Sequence, residues 1–523
     1  MTKRVTGHAE VIGMSKRHPK IPADIDAELS PKARKFFGEL IDDYERRIAE
    51  LNQRIAVLEA TVVRLEATVV RLEATVAKLE SQLANQKKLT PKNSSIPPST
   101  QHPHVKDKPK PKSKARNKRG GQPGHPRATR PLIPTEDCDK VEVLRPRKCR
   151  KCAAALKGND AQPLRHQVTE LPPIKPFITE YQRQRLTCQC CGTQTCAALP
   201  AGVPTGQCGP RLAAFTGLLM GHFRQSKRRA ASFLGDLLNI PCAPSWTVKI
   251  QTLVSHAVAE PYEQLRGELQ KQKQLFVDES PTKQSTHKAW LWVAVAPLFT
   301  VFGIFLSRKR EALKALVGDY SGLIINCDRA KMYFDGKRLQ WCWSHLKRDI
   351  QKLIDSSDKQ VKRLGHDLMR QQRLLFEQWR SYKQNEIGWR AFRQSIAPVR
   401  KEFESLLLRG RFSGNASLIG ICTELYSRKD WLWTFTKIEG IEPTNNAAER
   451  ALRPAVIYRK LSFGTQSASG SRFIERILSV SETCRQQKRS PYQYLIAAME
   501  AHFAKKAPPS LLPKALDTAK KAA

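Results

Sequence analysis

Residues 41–83 repeat an apolar residue in heptads, and a chain with such a stripe is committed to one long helix there. Positions a are Ile41, Ile48, Ile55, Val62, Val69, Val76 and Leu83; positions d are Tyr44, Leu51, Leu58, Leu65, Leu72 and Leu79. β-branched residues at a with leucine at d favour a parallel two-stranded coil. Val63 and Val70 at position b widen the stripe, which leaves a higher order or docking on another element open. Glu59, Glu66, Glu73 and Glu80 at e face threonines at g, so no charge pair selects a partner. The alternative is a long helix packed within its own chain. Self-association is the expectation, because a small domain cannot cover so long a stripe.

The charge balance narrows the class of partner. Among 523 residues there are 90 Lys and Arg against 48 Asp and Glu, a formal charge of +42. A field of one sign gathers polyanions, and DNA leads because counterion release from phosphates drives such binding. An anionic membrane is the rival, but no apolar run is long enough to span a bilayer and no amphipathic anchor stands at either end. The first twenty residues lack the apolar core of a signal peptide, so a cytosolic location is expected. The thirteen cysteines then read as metal ligands or buried small residues, not as a disulfide framework.

Composition marks out further segments. Residues 89–135 are rich in Pro, Ser and Lys and cannot bury enough apolar surface to fold alone. Their reading is a flexible arm along the phosphate backbone, or a solvated tether. Residues 209–250 read as three short helices. The last two are spaced as in a helix-turn-helix, although packed helices without a DNA role fit as well. From residue 274 the apolar runs QLFVD, HKAWLWVAVAP, FTVFGIFLS and GLIINCD read as strands. The second and third form a hairpin. EALKALVGDY gives a helical crossover between the third and fourth. Residues 345–440 read as mostly helical, 444–503 as helical with a break at Pro454, and the tail after 504 as frayed.

Two sets of residues carry candidate chemistry. Cys149 with Cys152 and Cys188 with Cys191 form two CxxC knuckles, the spacing of a tetrahedral structural zinc site. Cys190 competes with Cys191 as a ligand, and Ala153 follows the first knuckle where a glycine would be more comfortable. Asp278 ends the run LFVD and Asp328 ends LIINCD. A carboxylate at the end of a buried strand is costly unless paired or metal-bound. Two on parallel neighbouring strands converge at one edge, as metal-dependent phosphodiester chemistry requires. Glu449 in PTNNAAERALR would be the third acid, on a helix capped by Thr444 or Asn445. His345 reads as a phosphate or acid contact, or as a buried structural histidine. Trp290 and Trp292 lie on one strand and are expected to face different surfaces, with at least one in the core.

The order of KNSSIPPS, KRGGQPGH, RHQVTELPPIKPFITEY, the knuckles, FVDES, WLWVAVA, NCDRAKMY, QWCWSHLKRDI and IEPTNNAAERALRPAVIYRKLSFGTQSASGSRF resembles the insertion-sequence 66 family of bacterial transposases, over roughly residues 85–505. The resemblance implies a ribonuclease-H-like α/β catalytic core whose triad is Asp278, Asp328 and Glu449, holding Mg²⁺ or Mn²⁺. DES stands here where DET is usual, and Asn326-Cys327 precedes the second aspartate where a serine often sits.

The expected protein is therefore multidomain α+β. It comprises an N-terminal segment (1–40), a coiled coil (41–86), a basic linker (87–137), a zinc-ribbon-like module (138–205), a helix-turn-helix-like domain (206–272), a catalytic domain (273–503) with a helical insertion at about 350–440, and a disordered tail (504–523). DNA contacts are expected from Lys110, Lys112, Lys114, Arg116, Lys118 and Arg119 in the linker, and from Arg450, Arg453, Arg459 and Lys460 beside the third acid. The implied activity is cleavage at the ends of a mobile element, followed by attack of the freed 3′-OH on target DNA. The implied setting is the bacterial nucleoid, as a homo-oligomer, and the resemblance admits accessory proteins of the same element as partners. The alternative is a DNA-binding regulator that has lost its chemistry.

Overall fold

The computed structural model describes residues 20–87, residue 93 and residues 131–513. It divides into two units, Met1–Leu89 and Thr90–Ala523. The linker cations Lys110, Lys112, Lys114, Arg116, Lys118 and Arg119 lie outside the described residues.

In the first unit, α1 (Ala23–Glu28) leads into α2 (Pro31–Lys87), a helix of 57 residues. Pro31 opens it, where a missing N–H costs nothing, and the Ser30 hydroxyl accepts a bond from Ala33 N–H at 3.3 Å. The helix thus begins ten residues before the heptad. Its stripe is bare: Leu58 is 64% exposed, Leu65 59% and Leu72 58%. The g-position threonines turn inward on their own helix. Thr61, Thr68 and Thr75 each donate to the carbonyl four residues back, at 2.8, 2.9 and 2.8 Å. The side chain of Leu83 lies outside the described residues.

From residue 131 the described part of the second unit runs mostly as irregular chain that contains a short antiparallel hairpin, β1 (Arg185–Thr187) with β2 (Gln194–Cys196). Four helices follow: α3 (Pro210–Met220), α4 (Lys227–Leu238), α5 (Pro244–Ala257) and α6 (Ala259–Leu269). Next comes a five-stranded sheet of β3 (Gln274–Gln284), β4 (His287–Val295), β5 (Thr300–Phe305), β6 (Ile324–Cys327) and β7 (Arg338–Trp341), in the order β5-β4-β3-β6-β7. Strands β3, β4 and β5 pair antiparallel; β3–β6 and β6–β7 pair parallel. Helix α7 (Arg310–Val317) carries the chain from β5 to β6. After β7 come α8 (Trp343–Ile354), α9 (Lys359–Lys383), α10 (Trp389–Arg411), α11 (Ala416–Ser427) and α12 (Thr434–Lys437), then α13 (Asn446–Ser462), α14 (Ala468–Gln486) and α15 (Pro491–Phe503).

One continuous apolar core runs from Cys208 to Leu511. Helices α3–α6 share it with the sheet, so the expected boundary at 272/273 does not separate two packed bodies. Glycines in and just after α3 allow close packing against other helices: a Cβ at Gly217 would meet Val254 of α5 at 3.0 Å, and one at Gly221 would meet Ile477 of α14 at 2.5 Å. The helices expected at 345–440 build an aromatic cluster, in which Trp343 meets Phe403 and Trp433 at centroid distances of 5.1 Å. Trp290 and Trp292 do not face different surfaces as expected: two residues apart in β4, they share one face, where Trp292 is fully buried and Trp290 lies under Arg308 and Lys288, 4.9 and 5.1 Å from its ring.

Three expectations are corrected. Strand β3 does not end at Asp278 but continues to Gln284 and forms a hairpin with β4. Pro281 made this stretch look like a strand end, but β6 pairs with β3 only over Gln274–Phe276, so no partner needs the N–H that Pro281 lacks on that side. Strand β7 escaped notice because its four residues carry no apolar run. The tail is not frayed throughout: Leu511 is buried, and the carbonyls of Pro509 and Leu511 accept from Tyr494 and Gln487, both at 2.9 Å.

Strand β5 is an edge, and exposed edges invite pairing with foreign strands. Helix α14 closes it with side chains. The N–H groups of Ile304, Phe302 and Thr300 donate to Glu475, Ser479 and Thr483 at 2.5, 2.9 and 3.1 Å. Two strand residues rise about 6.6 Å and four helix residues about 6.0 Å, so the two periods nearly match. Glu475 is fully buried, and that burial, against the pull of Arg472 beside it, raises its pKa to about 7. Because the folded value lies above the unfolded one, stability falls as pH rises from about 4.5 to about 7, by on the order of 3 kcal/mol. Glu475→Gln should keep the bond to Ile304 and lose this slope. Urea denaturation of both proteins at pH 5 and pH 8 checks it; equal slopes would contradict the account.

Candidate active site

The site forms where two parallel strands part. β3 and β6 pair as Gln274↔Ile324, Leu275↔Ile325 and Phe276↔Asn326, and then separate. Asp278 and Asp328 each stand two residues beyond the last pair, so equal register places them side by side at the fork. Each uses one carboxylate oxygen locally: Asp278 accepts from Glu279 N–H at 2.9 Å, and Asp328 from Ala330 N–H at 2.8 Å.

Glu449 arrives from the first turn of α13. Two asparagines bring it there. Asn445 sits at the N-cap position but makes no side-chain capping bond. Its amide instead donates to the Val277 carbonyl at 2.7 Å, on the strand that carries Asp278. Asn326, in the strand that carries Asp328, donates to the carbonyls of Glu442 and Thr444 at 2.7 and 3.2 Å, and accepts from Gln274 at 2.8 Å. Helix α8 is tied to the same point: Cys342 N–H donates to Cys327 O at 2.9 Å and Trp343 N–H to Pro443 O at 3.0 Å. The expected cap at Thr444 or Asn445 is thus replaced by a tertiary bolt, because the Val277 carbonyl has lost its strand partner and must be satisfied.

The ligand oxygens of Asp278, Asp328 and Glu449 do not all lie within 4.8 Å of one another, but the three carboxylates act on one another electrostatically. Burial, then the charges of Glu279 and Asp328, push Asp278 well above the usual carboxylate range, and Glu449 adds to the push. Glu279, fully lined by partners, accepts from Tyr333 at 2.6 Å and from Arg308 at 2.7 and 2.8 Å. Burial and then Asp328 raise its pKa as well. Glu449 Oε1 is buried without a hydrogen-bond partner; His345 Nδ1 and Arg348 Nη2 each stand 3.6 Å away. Burial and the Arg348 charge hold His345 below the usual imidazole range. Crowded carboxylates with oxygens left free suit a hard divalent cation such as Mg²⁺ or Mn²⁺, which would relieve the like-charge repulsion.

The cations expected at the third acid divide. Arg450, Arg453 and Lys460 are exposed on α13. Arg459 is not free for the phosphate contact expected of it, since its guanidinium donates to the Pro281 carbonyl and ties α13 to β3. Arg329, next to Asp328, pairs with Asp349 at 2.6 Å and Glu424 at 2.9 Å, anchoring the second acid to α8 and α11.

The knuckles take matching turns. Ala153 N–H bonds Cys149 O at 3.0 Å, and Gly192 N–H bonds Cys188 O at 2.9 Å. Ala153 accepts a φ of 60° where Gly192 has 71°, the strain that its lack of a glycine foretold. Hydrogen bonding at each knuckle, first with the Cys152 backbone at Cys149 and with the Thr193 hydroxyl at Cys191, lowers those two thiols. The four sulfurs, however, do not gather at one point. Among the described residues, the group of three or more donor atoms within 4.8 Å of one another is Cys342, His345 and Glu449.

Residue-by-residue reading missed Glu279, Tyr333 and Arg308, whose shared role depends on the β3–β4 hairpin. It also missed Asn326 as a bolt, although the asparagine had stood out beside the second acid. Asn445→Ala should leave the Val277 carbonyl unsatisfied and destabilise the protein by about 1–3 kcal/mol. Urea unfolding measures this, and an unchanged midpoint would refute the bolt.

A family model described as "Transposase IS66 family" matches residues 206–472, a span that includes all three acids. A second, described as "Family of unknown function (DUF6444)", matches residues 40–131. Two proteins of Sinorhizobium fredii are similar. "Uncharacterized protein y4jO" is 30% identical over 158 residues, 29% of this chain and 46% of the relative. "Uncharacterized protein y4qI" is 23% identical over 259 residues, 43% of this chain and 46% of the relative. The chain thus spans about half the length of each relative. Among the described residues no helix is long and apolar enough to cross a membrane. With half of its length matched by the family model, from the helices before the sheet to the start of α14, the chain belongs to the IS66 family of transposases.

Proposed function

We propose that this protein cuts and joins DNA at the ends of a mobile element, with Asp278, Asp328 and Glu449 as the catalytic acids of a ribonuclease-H-like core. The observation that carries the reading is the fork: two acids in equal register beyond the β3–β6 pairing, and a third delivered by a helix bolted to the same strands. The mixed five-stranded sheet, with those acids on neighbouring parallel strands, supports it. A divalent cation held by the three carboxylates supplies Lewis acidity toward a phosphodiester.

The chain's own residues do the rest. Arg450, Arg453 and Lys460 line the exposed side of the helix that presents Glu449, where they would grip the phosphate backbone and set the register of the scissile bond. Arg308 and Tyr333 hold Glu279 in place, so that its carboxylate does not compete for the position of Asp278. The linker cations Lys110, Lys112, Lys114, Arg116, Lys118 and Arg119 extend the contact along DNA, driven by release of counterions. The bare stripe of α2 is the self-association surface. A structural zinc at Cys149, Cys152, Cys188 and Cys191 belongs to the same proposal and requires the two knuckles to approach each other.

Asp278→Asn, Asp328→Asn and Glu449→Gln should each reduce Mg²⁺-dependent nicking and strand transfer of element-end DNA by roughly two to three orders of magnitude, with DNA retention in a mobility-shift assay preserved. Wild-type transfer by any one of them would remove that residue from the triad. Wild-type protein that binds but never nicks would instead be a regulator. Leu58→Lys with Leu65→Lys and Leu72→Lys should convert the oligomer to monomer in sedimentation equilibrium; an unchanged mass would reassign the stripe.

A further inference from the structure

Next to the acid cluster lies a donor set of different chemistry. Cys342 and His345 stand at the start of α8 in a C-x-x-H spacing, and His345 N–H donates to Cys342 O at 3.1 Å. Their sulfur and ring nitrogen, with a carboxylate oxygen of Glu449, lie within 4.8 Å of one another. Asn445 N–H points at the sulfur from 3.1 Å. His345 Nδ1 and Glu449 Oε1 are buried and neither has a hydrogen-bond partner. At 3.6 Å they are too far apart to serve each other. Orphaned buried polar atoms cost free energy, and here they share one neighbourhood with a thiol.

A single cation would satisfy all three. Sulfur, imidazole and one carboxylate make a softer set than the aspartates at the fork, and they select a cation of the zinc class over Mg²⁺. The thiol proton would leave to solvent, and the N–H of Asn445 would support the thiolate as an outer partner. Arg348, 3.6 Å from Glu449 Oε1 with a side chain 22% exposed, has to turn outward as the cation enters.

We propose that Cys342, His345 and Glu449 bind a zinc-class divalent cation, and that its binding withdraws Glu449 from the acid cluster and arrests the DNA chemistry. The binding half stands on these three residues alone; the arrest rests on the proposed function.

The test uses full-length protein stripped by chelator, exposed to Zn²⁺, dialysed and counted for metal by mass spectrometry. His345→Gln and Cys342→Ser should each retain one zinc fewer per chain than wild type. Equal content in a His345→Gln chain with wild-type circular dichroism overturns the site, and this variant decides alone if Cys342→Ser does not fold. In Mg²⁺-dependent nicking, Zn²⁺ should inhibit wild type at concentrations at least tenfold lower than those needed for His345→Gln. Equal sensitivity with a lost zinc overturns the arrest. Absence of nicking by metal-free wild type supplied with Mg²⁺ refutes the proposed function, and the arrest with it, while the zinc count still decides the binding half.

Discussion

A carbonyl that loses its strand partner must find another, and at Val277 this requirement organises the site. β6 pairs with β3 for three residues and stops, which leaves β3 with polar backbone inside the protein. Asn445 answers from one side, and Asn326 reaches across from the other to the turn before α13. A helix that follows the sheet by more than a hundred residues is thereby fixed to the two strands that carry the aspartates. Glu449 sits one turn beyond that bolt. The crowding of carboxylates at the fork, visible in the raised pKa of Asp278, is the electrostatic cost of this arrangement. Such a cost is tolerable where a cation is to be held.

The far edge of the sheet shows the same economy by other means. β5 has no strand beyond it, and α14 covers its N–H groups with a carboxyl, a hydroxyl and a second hydroxyl spaced four residues apart. A strand partner would have left a new edge; a helix leaves none. The burial of Glu475 that results is a stability cost that begins above about pH 4.5 and is complete above about pH 7. Between these two ends the aromatic cluster of the helical insertion gives α8 a rigid seat, so Cys342 and His345 are placed as firmly as the acids.

The N-terminal helix obeys different physics. Among the described residues of its unit nothing covers its apolar stripe, and its threonines satisfy themselves on the backbone. A surface of that kind is stable in water only with a partner. Together with a charge of +42, it fits the proposed self-association and the proposed contact with DNA.

Local rules determined much of this protein. Period alone determined the long helix, because side-chain spacing along a helix depends on no other part of the chain. Apolar β-branched runs marked the first half of β3 and all of β4, β5 and β6, and those of β3 and β6 led to Asp278 and Asp328 as acids set against buried strands. The missing glycine after the first knuckle foretold the strained φ at Ala153. The tertiary structure decided what depends on partners distant in sequence. It showed that β3 passes through Pro281, that α14 serves as the last strand's neighbour, and that Asn445 bolts a helix instead of capping it. It turned Arg459 inward to Pro281 and set Cys342 and His345 beside Glu449. The cover of α14, the bolt at Asn445 and the turn of Arg459 follow from the need to satisfy buried polar groups, and which group is left wanting is known only when the strands have paired.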